Sequence, residues 1–253
     1  MIGKKCLTAV KNNGILIEQE TIRGAIVSNL SEILNKHGKK QKKSSYSSLF
    51  PETSPIARKF CSLVTATQAA KISAGSNLEK LIIDSSSFSN AGLKSCRLEH
   101  LLEFIDSGDS MDVIGKTLKL FLKEKNVEVD LFRVSKLEKK VYIAELKDSK
   151  GEFDTKKADS EYKTINAARN HIQENLPSGW RCACAIVCWN YDGTANFKSE
   201  KARSIILNGN EAEKVFGYVK GDVEQKRDFN RIENLKVLKE QLEKIKEILE
   251  INE

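Results

Sequence analysis

No stretch of this chain is long and apolar enough to cross a bilayer, and residues 1–19 lack the continuous apolar centre of a secretory leader. The expectation is a cytoplasmic protein with no membrane partner. Histidine is scarce: His37, His100 and His171 are scattered and accompany no nucleophile pattern. Ser-His-Asp and Cys-His chemistry therefore has no support. Among the six cysteines none has the paired C-x₂-C spacing of a structural zinc site. Cys182, Cys184 and Cys188 all carry even numbers within Arg181-Cys182-Ala183-Cys184-Ala185-Ile186-Val187-Cys188-Trp189. They should line one face of a strand, where free cysteine acts as a small buried hydrophobe.

What the chain does have is charge. Lys and Arg number 42 against 35 Asp and Glu, a formal charge of +7. Such a field raises encounter rates with polyanions, and non-specific DNA affinity comes mainly from neutralised phosphates. The excess agrees with a DNA partner without proving one. A length of 253 residues with 40% hydrophobic content fits one large domain, or a domain with an appended lobe. A core of that size needs no metal or disulfide to hold it.

Along the chain, residues 1–95 read as mainly helical and irregular. Ile22, Ile26, Leu30, Ile33 and Leu34 recur at helical spacing. A basic tract with Lys39, Lys40, Lys42 and Lys43 follows, either a solvated loop or a clamp on a nucleic-acid backbone. A helix carrying Glu79 is expected from Leu78 to Ile83. Leu98, Leu101, Leu102 and Ile105, then Ile114, Leu118, Phe121 and Leu122, suggest further helix. Asp154 is placed to cap a helix reaching about Asn175, since Asp accepts from free N–H groups of a first turn. On it Lys156 and Lys163 share a face, with Lys157 beside them and Arg169 further along; the face contacts phosphates or is simply solvated. Leu176-Pro177-Ser178-Gly179 breaks that helix, and a buried strand follows from Arg181 to Trp189. At the C-terminus Ile232, Leu235, Leu238, Leu242, Ile245 and Leu249 mark an amphipathic helix that either packs on its own domain or pairs with a second subunit. The expected divisions are 1–95, 96–220 and 221–253, all within one compact unit.

Chemistry concentrates in two strand patterns. The apolar run Val141-Tyr142-Ile143-Ala144 ends in Glu145-Leu146-Lys147, and Asp130 closes the alternating segment Val127-Glu128-Val129. Strand residues two apart project from one face, so Glu145 and Lys147 should point together. Two carboxylates and an ammonium are the parts of a magnesium-dependent phosphodiester-cleaving site. Mg²⁺ takes only one or two protein carboxylates, polarises a phosphoryl oxygen and acidifies a bound water. Lys147 is suited to orienting that water or stabilising charge on the phosphate.

Asp130, fourteen intervening residues and Glu145-x-Lys147 resemble the PD-(D/E)xK nuclease signature, most of all as type II restriction endonucleases carry it. Asp148-Ser149-Lys150-Gly151-Glu152-Phe153-Asp154-Thr155-Lys156-Lys157 strengthens the likeness, as does Ser73-Ala74-Gly75-Ser76-Asn77-Leu78-Glu79, similar to a Ser/Gly-rich stretch that leads into a helix with an acid near the active site. The likeness spans about residues 73 to 190, and Val129 stands where the signature has Pro. The resemblance implies an α/β restriction-endonuclease-like core, a mixed central sheet flanked by helices, with a helical N-terminal region and a C-terminal amphipathic helix. It implies Mg²⁺ held by Asp130, Glu145 and the Leu146 carbonyl, Lys147 beside the attacking water, and Glu79 as an additional acid. The implied substrate is double-stranded DNA cut at a short specific sequence by a homodimer. The other readings are a repair or junction-resolving nuclease, and a DNA-binding protein that does not cleave.

Overall fold

The computed structural model describes residues 54–89, 95–108, 110–151, 155–193 and 199–251. Ile22, Ile26, Leu30, Ile33, Leu34, the tract from Lys39 to Lys43, and Asp154 lie outside them. The elements run α1 (Pro55–Ser85), β1 (Cys96–Arg97), α2 (Leu98–Asp106), β2 (Val113–Leu122), β3 (Lys125–Ser135), β4 (Lys140–Lys147), α3 (Thr155–Asn175), β5 (Arg181–Cys188), α4 (Glu200–Arg203), β6 (Ile206–Asn208), α5 (Gly209–Phe216) and α6 (Lys220–Ile251). The chain divides into two compact units, Val64–Asp228 and a second formed by Met1–Leu63 with Phe229–Glu253. These boundaries fall inside α1 and α6.

The larger unit is α/β. Its six strands lie in sequence order, with β2, β3 and β4 antiparallel and the pairs β1–β2, β4–β5 and β5–β6 parallel. Each parallel join after β4 is made by a helix, as a parallel crossover requires. One face of the sheet packs Val113, Phe132, Val134, Val141 and Ile143 against Ala158, Ile165, Ala168 and Ile172 of α3 and Leu98, Leu101 and Ile105 of α2. The other packs Ile114, Leu131, Ala144 and Val187 with Leu78, Leu81 and Ile82 of α1 and Phe216 of α5. Burying each such aliphatic side chain contributes about 1.5–3 kcal/mol. Cys182, Cys184 and Cys188 all lie on the α3 face as small apolar groups, and burial raises their thiol pKa values.

Two expectations are corrected here. Residues 113–122 form a strand, not a helix: β2 pairs with β3 from Val113–Val134 to Leu122–Lys125. Ile114 and Leu118 are buried on opposite faces of the sheet, so the apolar pattern of β2 changes parity and resembles helical spacing, and the turn gave no warning. Lys123 and Glu124 both adopt left-handed backbone (φ 45° and 64°), as a two-residue hairpin turn demands, yet neither is the usual Asn or Gly. Second, Ser73-Ala74-Gly75-Ser76 does not lead into a helix; it lies within the continuous α1. A helical glycine costs about 1 kcal/mol, which burial of Leu78, Leu81 and Ile82 in the next turns outweighs.

Gly217 ends α5 in left-handed backbone (φ 67°), its N–H donating to the Glu213 carbonyl. A Cβ at this position would lie 2.5 Å from the Phe88 ring. Phe88 in turn stacks on buried Arg133, 4.2 Å from its centroid, and Arg133 bridges Asp112, Glu138 and the Val215 carbonyl. Lys136, in the β3–β4 turn, donates to the carbonyls of Phe104, Ile105 and Ser107 and so caps the C-terminal end of α2.

Candidate active site

Asp130 does not close a strand, as its pattern suggested; it sits in the middle of the 11-residue β3. Something does end there. The β3–β4 ladder runs from Ser135–Lys140 only to Leu131–Ala144, so the two strands part at Asp130. Both strands of the β2–β3 pair also turn over at this step. Val113 and Val134 face α3, as do Leu118, Leu120 and Val129, so the buried residues change parity between one end of each strand and the other. Thr117, opposite Asp130 in the register, carries the left-handed backbone (φ 59°) that makes the turnover.

At the fork the Asp130 side chain substitutes for the missing ladder, its Oδ2 accepting from the Leu146 N–H at 2.7 Å. A strand residue in a ladder sends its N–H and C=O toward the same neighbour. The Leu146 carbonyl thus faces the gap beside Asp130. Glu145 and Lys147, on the alternate positions of β4, face α3, and Lys147 Nζ lies 2.5 Å from Glu145 Oε1. That contact is the pairing expected from their spacing.

A fourth group joins them. Glu161 of α3 places Oε1 3.1 Å from Lys147 Nζ, so the ammonium is held between a strand carboxylate and a helix carboxylate. The motif spacing did not include Glu161, but a signal existed. Ala158, Glu161, Ile165, Ala168 and Ile172 recur at intervals of three and four, and Glu161 is the one charged member of that otherwise apolar stripe. Glu79 also belongs to this neighbourhood, since its ionisation is perturbed by Asp130, Glu145 and Lys116.

The electrostatics are those of crowded acids. Burial first, then the Asp130 charge, push Glu145 up to about 7. Burial, Asp130 and Glu145 likewise push Glu79 up to about 7, against the pull of Lys116. Asp130 is raised by burial, although the Leu146 N–H and Lys147 oppose the rise. For Lys147, burial disfavours the charge, yet hydrogen bonds and attraction from Glu145 and Glu161 outweigh it and raise its pKa. With all groups ionised, the carboxylates of Glu79, Glu128, Asp130, Glu145 and Glu161 outnumber the ammonium groups of Lys116 and Lys147, an excess of three negative charges. A divalent cation would reduce that excess.

The backbone next to Lys147 is anchored. The Trp189 N–H donates to the Lys147 carbonyl at 2.9 Å, and Arg227 of α6 reaches Asp148 Oδ2 at 2.6 Å and Glu224 at 2.9 Å. Glu224 in turn accepts from the indole N–H of fully buried Trp189.

Lys156, Lys157 and Lys163 are exposed on the side of α3 away from the sheet. Arg169 does not share that side: it is half-buried beside Cys182 and Cys184, because thirteen residues beyond Lys156 the helix has turned it toward the core. Among the described residues, no three His, Cys, Asp or Glu side chains gather closely enough to hold a metal by themselves. Two carboxylates and a carbonyl, the set at the fork, are enough for Mg²⁺, which keeps several waters. Compared with protein-family models, with curated proteins and with solved structures, the chain matches none.

Proposed function

We propose that this protein is a Mg²⁺-dependent endonuclease that hydrolyses phosphodiester bonds in double-stranded DNA at a short specific sequence, acting as a homodimer in the manner of type II restriction enzymes. The observation that carries the proposal is the fork itself. Asp130, the Leu146 carbonyl, Glu145 and Lys147 meet where β3 and β4 part, and burial together with the Asp130 charge pushes the Glu145 carboxyl up to about 7. Asp130, Glu145 and the Leu146 carbonyl would hold the ion, which supplies Lewis-acid polarisation of the phosphate and acidifies a water. Lys147, whose pKa is raised, stays charged and supports the negative charge growing on the phosphate oxygens. Glu161 is a positioning residue: it keeps Lys147 in place from α3 when Glu145 turns to the ion. Glu79 contributes a further acid at the edge of the site. The exposed Lys156, Lys157 and Lys163, with Lys39, Lys40, Lys42 and Lys43, supply phosphate contacts.

Incubation of the purified protein with a mapped plasmid and Mg²⁺ tests the proposal. Discrete bands support a site-specific enzyme. Cleavage confined to branched or nicked substrates would instead indicate a repair or junction-resolving nuclease, and binding with no cleavage under any divalent cation would reject the enzyme.

A further inference from the structure

Beyond Asp130 the β2–β3 pair continues over residues 118–122 and 125–129 without β4; β1 joins it only at Leu118 and Lys119, and from Leu120 to the turn it is a two-stranded ribbon. Its inner side, Leu118, Leu120 and Val129, is buried in the α3-side core. The opposite side carries Lys119, Phe121, Asn126 and Glu128, all exposed, and Phe121 at 65% is among the most exposed large hydrophobic residues described. Register sets these in rows. Arg97 of β1, Lys119 and Glu128 lie across three strands, and Phe121 faces Asn126. The turn adds exposed Lys123, and exposed Lys125 follows at the first position of β3. This surface adjoins the candidate site, since Glu128 and Val129 precede Asp130 directly in β3, where β4 parts from it.

A single exposed aromatic is ordinary. Here it stands beside an amide on a ribbon flanked by Arg97, Lys119, Lys123 and Lys125 against only Glu124 and Glu128, an excess of two positive charges. A two-stranded ribbon is one of the two elements that a B-DNA major groove admits. Asn can pair in bidentate fashion with adenine, and Phe can pack on a thymine methyl. At about 3.4 Å per residue, the six residues from Asp130 to the turn reach about 20 Å.

We propose that this ribbon is the sequence-reading element of the protein. It enters the major groove beside the cut, with Asn126 and Phe121 on base edges and Lys123, Lys125 and Arg97 on flanking phosphates. The proposal rests on the nuclease reading and adds to it the part of the chain that chooses the site, within about six base pairs of the cleaved phosphate, given 3.4 Å per base pair.

The test uses the full chain, with two variants of exposed residues, Phe121→Ala/Asn126→Ala and Lys123→Ala/Lys125→Ala. Binding is measured in EDTA on mixed-sequence duplex DNA and on duplex RNA, and cleavage on the plasmid with Mg²⁺. The lysine variant should bind every DNA duplex more weakly, with a salt slope shallower by about 0.9 for each phosphate that is no longer neutralised. The Phe121/Asn126 variant should bind mixed-sequence DNA within about twofold of the parent, yet cut the parent's sites at least about tenfold more slowly, as removal of side chains from base edges implies. If both variants bind and cut as the parent does, the ribbon does not touch DNA while the nuclease reading stands. Equal binding of duplex RNA also overturns the proposal, because the A-form major groove is too narrow to enter. A parent that neither binds nor cuts DNA overturns both.

Discussion

Lys147 shows how the candidate site draws on groups from more than one element. It is half-buried, which disfavours its charge, and it remains charged because two carboxylates from different elements flank it. Removing Asp130 or Glu145 should therefore act differently from removing Lys147. Asp130→Ala and Glu145→Ala should abolish plasmid cleavage but bind DNA at least as tightly as the parent, since each deletes a charge that repels phosphate. Lys147→Ala should lose about 10²–10³ in kcat, as removal of one electrostatic stabiliser does. Gel quantification beside an equilibrium binding curve separates the two cases, and full-rate cleavage by Glu145→Ala would sink the site assignment.

Glu161 allows a sharper check on the same residue scale. If it works through Lys147, Glu161→Gln should cost about tenfold in kcat with DNA affinity unchanged, typical of a group that orients a catalytic one. In a Lys147→Ala background it should cost nothing more. Additive effects would show that Glu161 acts independently. The crowded acids also set a pH dependence. Glu79 and Glu145 have folded-state pKa values of about 7 against an ordinary 4.5, so the folded protein holds protons that the unfolded chain gives up. Their stabilising contribution is complete below about pH 4.5 and is lost as pH rises through about 7. In EDTA, the parent's Tm should fall more steeply across that window than the Tm of Glu79→Gln/Glu145→Gln. Mg²⁺ should restore the parent's Tm above pH 7. Equal pH slopes would show that these acids are not strained by one another.

At the scale of elements, what the sequence displayed depended on whether local pattern and tertiary role agreed. β4 was legible because its apolar run and its charged end coincide with burial and site. The α3–β5 connection was legible because Pro177 and Gly179 interrupt two clean patterns. β2 was not, because its inward residues change parity at Thr117 and mimic a helix, and because its turn uses Lys123 and Glu124 in place of a recognisable pair. Asp130's place within β3 was hidden for the same reason: the fork is a property of two strands, and one strand's pattern cannot display it. Gly217 supplies the test at this scale. Left-handed backbone costs an ordinary residue about 1–2 kcal/mol, and a methyl there must also displace Phe88 from its place on Arg133. Gly217→Ala should lower the denaturant midpoint by at least that equivalent, whereas Gly179→Ala, with open space around its Cβ, should show the backbone cost alone. Equal effects at the two positions would mean that the Phe88 ring yields freely.

On the whole-molecule scale the open matter is how one chain would serve a two-stranded substrate. One fork holds one set of Asp130, Glu145 and Lys147, so under the proposed function one chain would supply chemistry for one strand at a time. A symmetric duplex site is most simply met by a two-fold pair, with each copy aligned on its own half. The C-terminal helix offers a candidate contact. In α6, Ile232 is 55% exposed and Leu235 and Leu242 are 50% exposed, three large apolar residues on the amphipathic stripe. The larger compact unit ends at Asp228, just before the stripe. Sedimentation with a duplex at saturating protein should give two chains per site. Ile232→Lys/Leu235→Glu/Leu242→Lys should shift free protein toward monomer and turn concerted double-strand cuts into accumulated nicks. One chain per duplex in the parent would reject the dimer; a variant that still pairs and still cuts both strands together would clear the helix and leave the dimer contact elsewhere.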